Sequence, residues 1–109
     1  MKNYKLGKIY ELMQEIKKLA SNQYTEEEYN NRPYIDKVRA ECIIVFWKTI
    51  DNLIDTLDYD EVTTDDMQSY ELSRYEIGKL SNQFLLDTKN RYYYDFDTND
   101  LCKINNPFE

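Results

Sequence analysis

Apolar residues recur along this chain at helical spacing over three long stretches, separated by short runs of polar and turn-forming residues. The first stretch, about Asn3 to Ser21, sets Leu6, Ile9, Met13, Ile16 and Ala20 three and four positions apart. Leu12 and Leu19 widen that stripe, and Lys8, Glu11, Glu15 and Lys18 make a wet face, which is the pattern of a helix resting on a core. The densest apolar run, Cys42-Ile43-Ile44-Val45-Phe46-Trp47, lies in a segment from Pro33 to Leu57 with no glycine or proline after its first residue. At 100° per residue Ile35, Cys42, Ile43, Phe46, Trp47, Ile50, Leu53, Ile54 and Leu57 share one wide arc, with Lys37, Glu41, Lys48, Asp51 and Asp55 opposite. The segment therefore reads as a central helix of about 35 Å, with Phe46 its most deeply buried residue.

Turn chemistry divides these stretches. Thr25-Glu26-Glu27-Glu28 is a capping box opening a short helical turn, which Asn30-Asn31-Arg32-Pro33 ends. Pro33 suits the first turn of the central helix, where a missing N–H is no loss. Asp58-Tyr59-Asp60-Glu61-Val62 reads as a loop, and Thr63 or Thr64 followed by Asp65 and Asp66 as the cap of a further helix, residues 65–86. In that helix Met67, Tyr70, Ile77, Leu80 and Phe84 share an arc with Ser73 and Ser81, and Gly78 marks a close helix contact or a small kink. Beyond Leu86, Tyr92, Tyr94 and Phe96 alternate with Tyr93, Asp95 and Asp97 ahead of Thr98-Asn99-Asp100. That tail predicts a hairpin over residues 91–104 or an ordered extension. The expected fold is mainly α: one domain, residues 1–109, built as a small three- to four-helix bundle with this hairpin or tail at residues 91–109.

Composition narrows the chemistry. Without a single histidine the chain lacks the commonest general base and transition-metal ligand, and Cys42 has no partner to activate it. No glycine-rich phosphate loop occurs, and no carboxylate pair stands among apolar neighbours that would raise its pKa. A catalytic role, a cofactor and a metal are accordingly not expected. Two cysteines, Cys42 and Cys102, in a chain of 109 residues fit a reduced, cytoplasmic setting, and no stretch reaches the apolar length of a membrane span. The eleven tyrosines accord with an AT-rich coding bias as well as with function.

Charge is the uneven feature. From Asp51 to Glu76 the acids are Asp51, Asp55, Asp58, Asp60, Glu61, Asp65, Asp66, Glu71 and Glu76, and Arg74 is the one base, so nine acids against one base leave a net charge of −8. Asp51, Asp55 and Asp58 stand at i, i+4 and i+7, where like charges repel on a helix face, and near a carboxyl terminus that the macrodipole makes hostile to anions. Local rules are broken most often where function is served. Three readings follow: an acidic surface that gives solubility; a cation site; or carboxylates that imitate nucleic-acid phosphates and occupy the basic groove of a nucleic-acid-binding protein. Asp95-Phe96-Asp97-Thr98-Asn99 opens like an EF-hand calcium loop, but Asp100 stands where the turn glycine belongs and Asn106 where the bidentate glutamate belongs. For the third reading the binding residues are Asp51, Asp55, Asp58, Tyr59, Asp60, Glu61, Asp65, Asp66, Tyr70 and Glu71, tyrosine supplying rigid contact area beside carboxylate.

In this acidic, tyrosine-rich composition the chain resembles small proteins of phages and mobile elements, among them anti-CRISPR proteins that inhibit host nucleases by direct binding. The resemblance implies an inhibitor and transfers no site. The expected function is a non-enzymatic module that binds a basic protein, rather than nucleic acid or membrane directly. The alternative is a structural subunit or homodimer, since Ile44, Val45, Leu72 and Leu86 fall outside the stripes of their helices.

Overall fold

The computed structural model describes residues 4–21, 24–32, 34–89 and 92–103, with the side chains of 92–94 and 100–103 excepted. The chain is mainly helical: α1 (Tyr4–Ser21), the short α2 (Glu26–Asn31), α3 (Ile35–Asp55) and α4 (Thr64–Lys89), with a 3-10 turn at Tyr59–Glu61. Two short extended segments follow, Tyr92–Asp95 (β1) and Asp100–Lys103 (β2), with a turn at Phe96–Asn99 between them. No described helix is long and apolar enough to cross a membrane.

Helices α2 and α4 start where a side-chain oxygen replaces a missing amide partner, whereas α3 follows Tyr34 with no side-chain cap. Thr25 Oγ1 accepts the Glu28 N–H at 3.1 Å, and its hydroxyl donates to Glu28 Oε1 at 3.4 Å. At α4 the cap is Thr63 and is reciprocal: Thr63 Oγ1 accepts from the Asp66 N–H (3.0 Å), and Asp66 Oδ2 accepts from the Thr63 N–H (3.2 Å). Pro33, expected at the start of α3, lies outside the described residues, as do the side chain of Cys102 and the residues after Lys103. Cys42 is a free, half-buried thiol.

Helix α1 buries the stripe its spacing predicts, Leu6, Ile9, Met13 and Ile16. It packs along α3 and along α4, which also meet each other. Ile9, Met13, Ile16, Ile43, Ile50, Tyr70 and Ile77 form the core. Burying each such side chain favours folding by about 1.5–3 kcal/mol. Lys5 Nζ, at the start of α1, donates to the Thr56 carbonyl at the end of α3 (2.8 Å), and Trp47 meets Ser81 (3.0 Å) while Asp51 meets Arg74 (2.8 Å), so both α1 and α4 run antiparallel to α3.

Three expectations are corrected. Phe46 is only partly buried, because the α3 face that α1 and α4 enclose is centred on Ile43 and Ile50, and Phe46 lies at its edge. Leu80 is exposed, while Leu85 packs against the core in its place. Gly78 marks no close helix contact: a Cβ built there meets nothing within 4 Å. The order of sensitivity follows. Ile50→Ala should cost about 2–5 kcal/mol in urea unfolding, more than Phe46→Ala; the reverse order would mean that α3 is rotated.

Candidate functional site

The site is built on the seam where α4 meets α3. Along α4 the positions Met67, Tyr70, Arg74, Ile77, Ser81, Phe84 and Thr88 follow one another at alternating steps of three and four, and all are buried or half-buried. A charged residue holds a place in this seam because its charge is met by a carboxylate, a hydroxyl and an aromatic ring. Arg74 donates to Asp51 Oδ1 at 2.8 Å and to the Tyr70 hydroxyl at 2.6 Å, and its guanidinium lies 5.0 Å from the centre of the Trp47 ring. Burial alone would lower the Arg74 pKa, but the bonds to Asp51 and Tyr70 outweigh it and hold the guanidinium above its usual value. Beneath Arg74, the Trp47 N–H is received by Ser81, which is wholly buried and whose own hydroxyl donates to the Gly78 carbonyl at 3.2 Å.

On the side away from α1 this seam stays open. Trp47, Glu71, Arg74, Tyr75, Gly78, Lys79 and Asn82 line a groove of about 560 Å³, within the range of ligand pockets. Its lining includes Trp47, under the Arg74 guanidinium, and Gly78, where a Cβ would meet nothing. Tyr75 is 63% exposed at one lip, with Lys79 Nζ held 5.3 Å over its ring. A second pocket, of about 420 Å³, lies at the far end of α3 between Leu19, Arg32, Tyr34, Ile35, Val38 and Arg39. Arg39 there stacks over Tyr24, itself stacked on Tyr29.

Next to the groove, the end of α3, the 3-10 turn and the start of α4 gather the acidic residues singled out from the sequence. Asp51 is paired with Arg74. Asp58 lies beyond the last turn of α3, so it shares no helix face with Asp51 and Asp55; its carboxylate caps the 3-10 turn by accepting the Asp60 N–H at 3.0 Å. Asp66 caps α4, and its carbonyl accepts from the Tyr10 hydroxyl at 3.5 Å. Burial, with the Asp66 charge nearby, raises the Tyr10 pKa. Tyr70 is buried on Arg74. Asp55, Tyr59, Asp60, Glu61, Asp65 and Glu71 are exposed. The dipole conflict at the end of α3 is eased by Lys5, whose ammonium sits on the Thr56 carbonyl.

Among the described residues no three carboxylate or thiol groups converge where a metal ion could sit. Asp95 Oδ1 instead accepts the Asp97 and Thr98 N–H groups at 2.9 and 3.4 Å, closing the turn in which Asn99 takes a left-handed φ of 60°.

Sequence reasoning missed the groove and the inward role of Arg74. The available signal was the heptad-like step of α4, which puts Arg74 into the seam and Gly78 beside it. Two substitutions probe this seam. Gly78→Ala should stabilise the fold by up to about 1 kcal/mol, since the methyl enters open space and helix propensity improves. Ser81→Ala should cost about 1 kcal/mol by taking the acceptor from the Trp47 N–H. Urea unfolding followed through the emission of Trp47 measures both, and a loss with Gly78→Ala would place an unseen neighbour in the groove.

No family model, curated protein or solved structure matches this chain, so a functional reading rests on the chemistry of these residues.

Proposed function

We propose that the chain is a non-enzymatic binding module that docks the segment Asp51–Glu76 on a basic protein surface, the nucleic-acid groove of a nuclease or regulator, and blocks it by competition. The observation that carries this reading is the use of Arg74. The one base of the segment is bound to Asp51 and stacked on Trp47, while Asp55, Asp60, Asp65 and Glu71 point their charge at solvent with Tyr59 among them. A surface that keeps its counter-charge for internal use favours an incoming cation. Exposed carboxylates of this kind act over about 8–10 Å at ordinary salt and speed encounter with basic partners. The likeness to phage and mobile-element inhibitors belongs to the same proposal, as does a single domain in the cytoplasm.

Exposed apolar residues favour a second reading, self-association. Val45 is 57% exposed, Leu72 61%, Leu86 52% and Ile44 42%.

The test starts from affinity capture and asks what salt does to the complex. Asp51 and Asp58 have structural duties, so the informative variant is Asp55→Asn with Asp60→Asn and Glu71→Gln. It should leave thermal stability within a few tenths of a kcal/mol and reduce both affinity and its salt slope. Unchanged inhibition of the partner in that variant sinks the proposal, and a concentration-dependent dimer in light scattering favours the second reading instead.

We also propose that β1 and β2 stand as a hairpin against the end of α4 in solution. Nuclear Overhauser contacts between the backbones of Tyr93 and Cys102 are expected of that hairpin; their absence would make this segment a tail.

A further inference from the structure

The groove over Trp47 is built like a bundle position that lacks its helix. α1 fills the space on one side of the α3–α4 seam. On the other side, Trp47 from α3 and Tyr75, Gly78 and Asn82 from α4 line a channel that no described element enters. Gly78 is the telling residue. It sits in the interior of a helix, where glycine costs about 1 kcal/mol against alanine, and no neighbour requires it, because the place of its Cβ is empty. A bare backbone at the floor of a groove admits close approach by another helix. Ile44 lies on the Trp47 side of α3, one turn earlier, and Leu86 lies one turn beyond Asn82; both are exposed.

Charge selects the occupant. At the end toward Asp51 the groove passes directly into the acidic segment, since Glu71 and Arg74 belong to both. Arg74 is already neutralised by Asp51, which leaves Glu71 and, beyond it, Asp55 to face an arriving side chain. The other end carries Lys79, drawn over Tyr75. We infer that the groove receives an amphipathic helix of the partner protein, with its apolar face on Trp47, Tyr75 and Gly78 and its basic side chains gathered at the end that meets Glu71 and Asp55. This rests on the acidic-surface proposal and adds to it the shape of the partner: a basic helix laid in a groove by apolar anchors one turn apart.

The test uses the whole protein and a defined probe, a peptide of about 18 residues, or five turns, with leucines on one face and lysines on the other. A peptide with the same leucine pattern and glutamates serves as control. Binding is read from the emission of Trp47 and by calorimetry. The lysine peptide should bind saturably and shift the emission, and the glutamate peptide should not bind. Gly78→Leu, which fills the floor with a good helix former, should keep or raise the melting temperature and weaken the lysine peptide by at least about tenfold, as filling an anchor pocket does. Equal binding to Gly78→Leu overturns the groove. If the Asp55→Asn, Glu71→Gln variant at the same time loses the peptide, the acidic surface survives without the groove. Loss in Gly78→Leu with no effect of the acid substitutions keeps the groove and removes the charge selection. A dimer of the protein alone that Gly78→Leu converts to monomer would assign the groove to a second copy and overturn the inference.

Discussion

Ile9, Met13 and Ile16 of α1 are wholly excluded from water, and they can be so only because α3 and α4 both lie against that one helix. The rest of the structure depends on this shared burial. The backbones of α3 and α4 approach each other less extensively than either approaches α1, so the pair is held together chiefly through the helix they both cover. Their contact is pinned by two directed bonds, the indole of Trp47 on Ser81 and Arg74 on Asp51. Such bonds fix register and angle, while the apolar stripes supply the free energy.

A helix used on two sides leaves its two neighbours incompletely covered. That is the physical origin of the groove: α3 and α4 turn their inner faces to α1, and the opposite side of their seam leaves the half-buried Trp47 and Gly78 lining an open channel. The polar seam residues acquire a reason from the same geometry. At a half-covered position a leucine would present apolar surface to water, whereas arginine lays its guanidinium over the Trp47 ring and bonds it to a carboxylate.

The acidic end shows how structure redistributes charge that composition only counts. Two of the residues whose placement looked unfavourable, Asp51 and Asp58, carry local duties, as do Asp66 and Lys5. Asp51 pairs with Arg74, Asp58 and Asp66 cap a turn and a helix, and Lys5 answers the dipole at the end of α3. Asp55, Asp60, Asp65 and Glu71 are among the outward-facing charges, and the proposed partner surface rests on them and not on the full count.

What the sequence by itself determined is the set of elements. Period and caps are local properties, readable wherever apolar residues step by three and four and a threonine precedes acids, and α1, the Thr25 cap and the Thr63 cap stand where that chemistry puts them. An arc on one helix, however, states only which residues are able to be buried. Whether Ile43 or Phe46 sits deepest, whether Leu80 or Leu85 enters the core, and whether Gly78 faces a helix or open space are decided by the crossing of a second and third helix, which is a property of long-range packing. The pairing of Asp51 with Arg74 is of the same kind, since the two are 23 positions apart in the chain and meet only because α3 and α4 are antiparallel in one particular register.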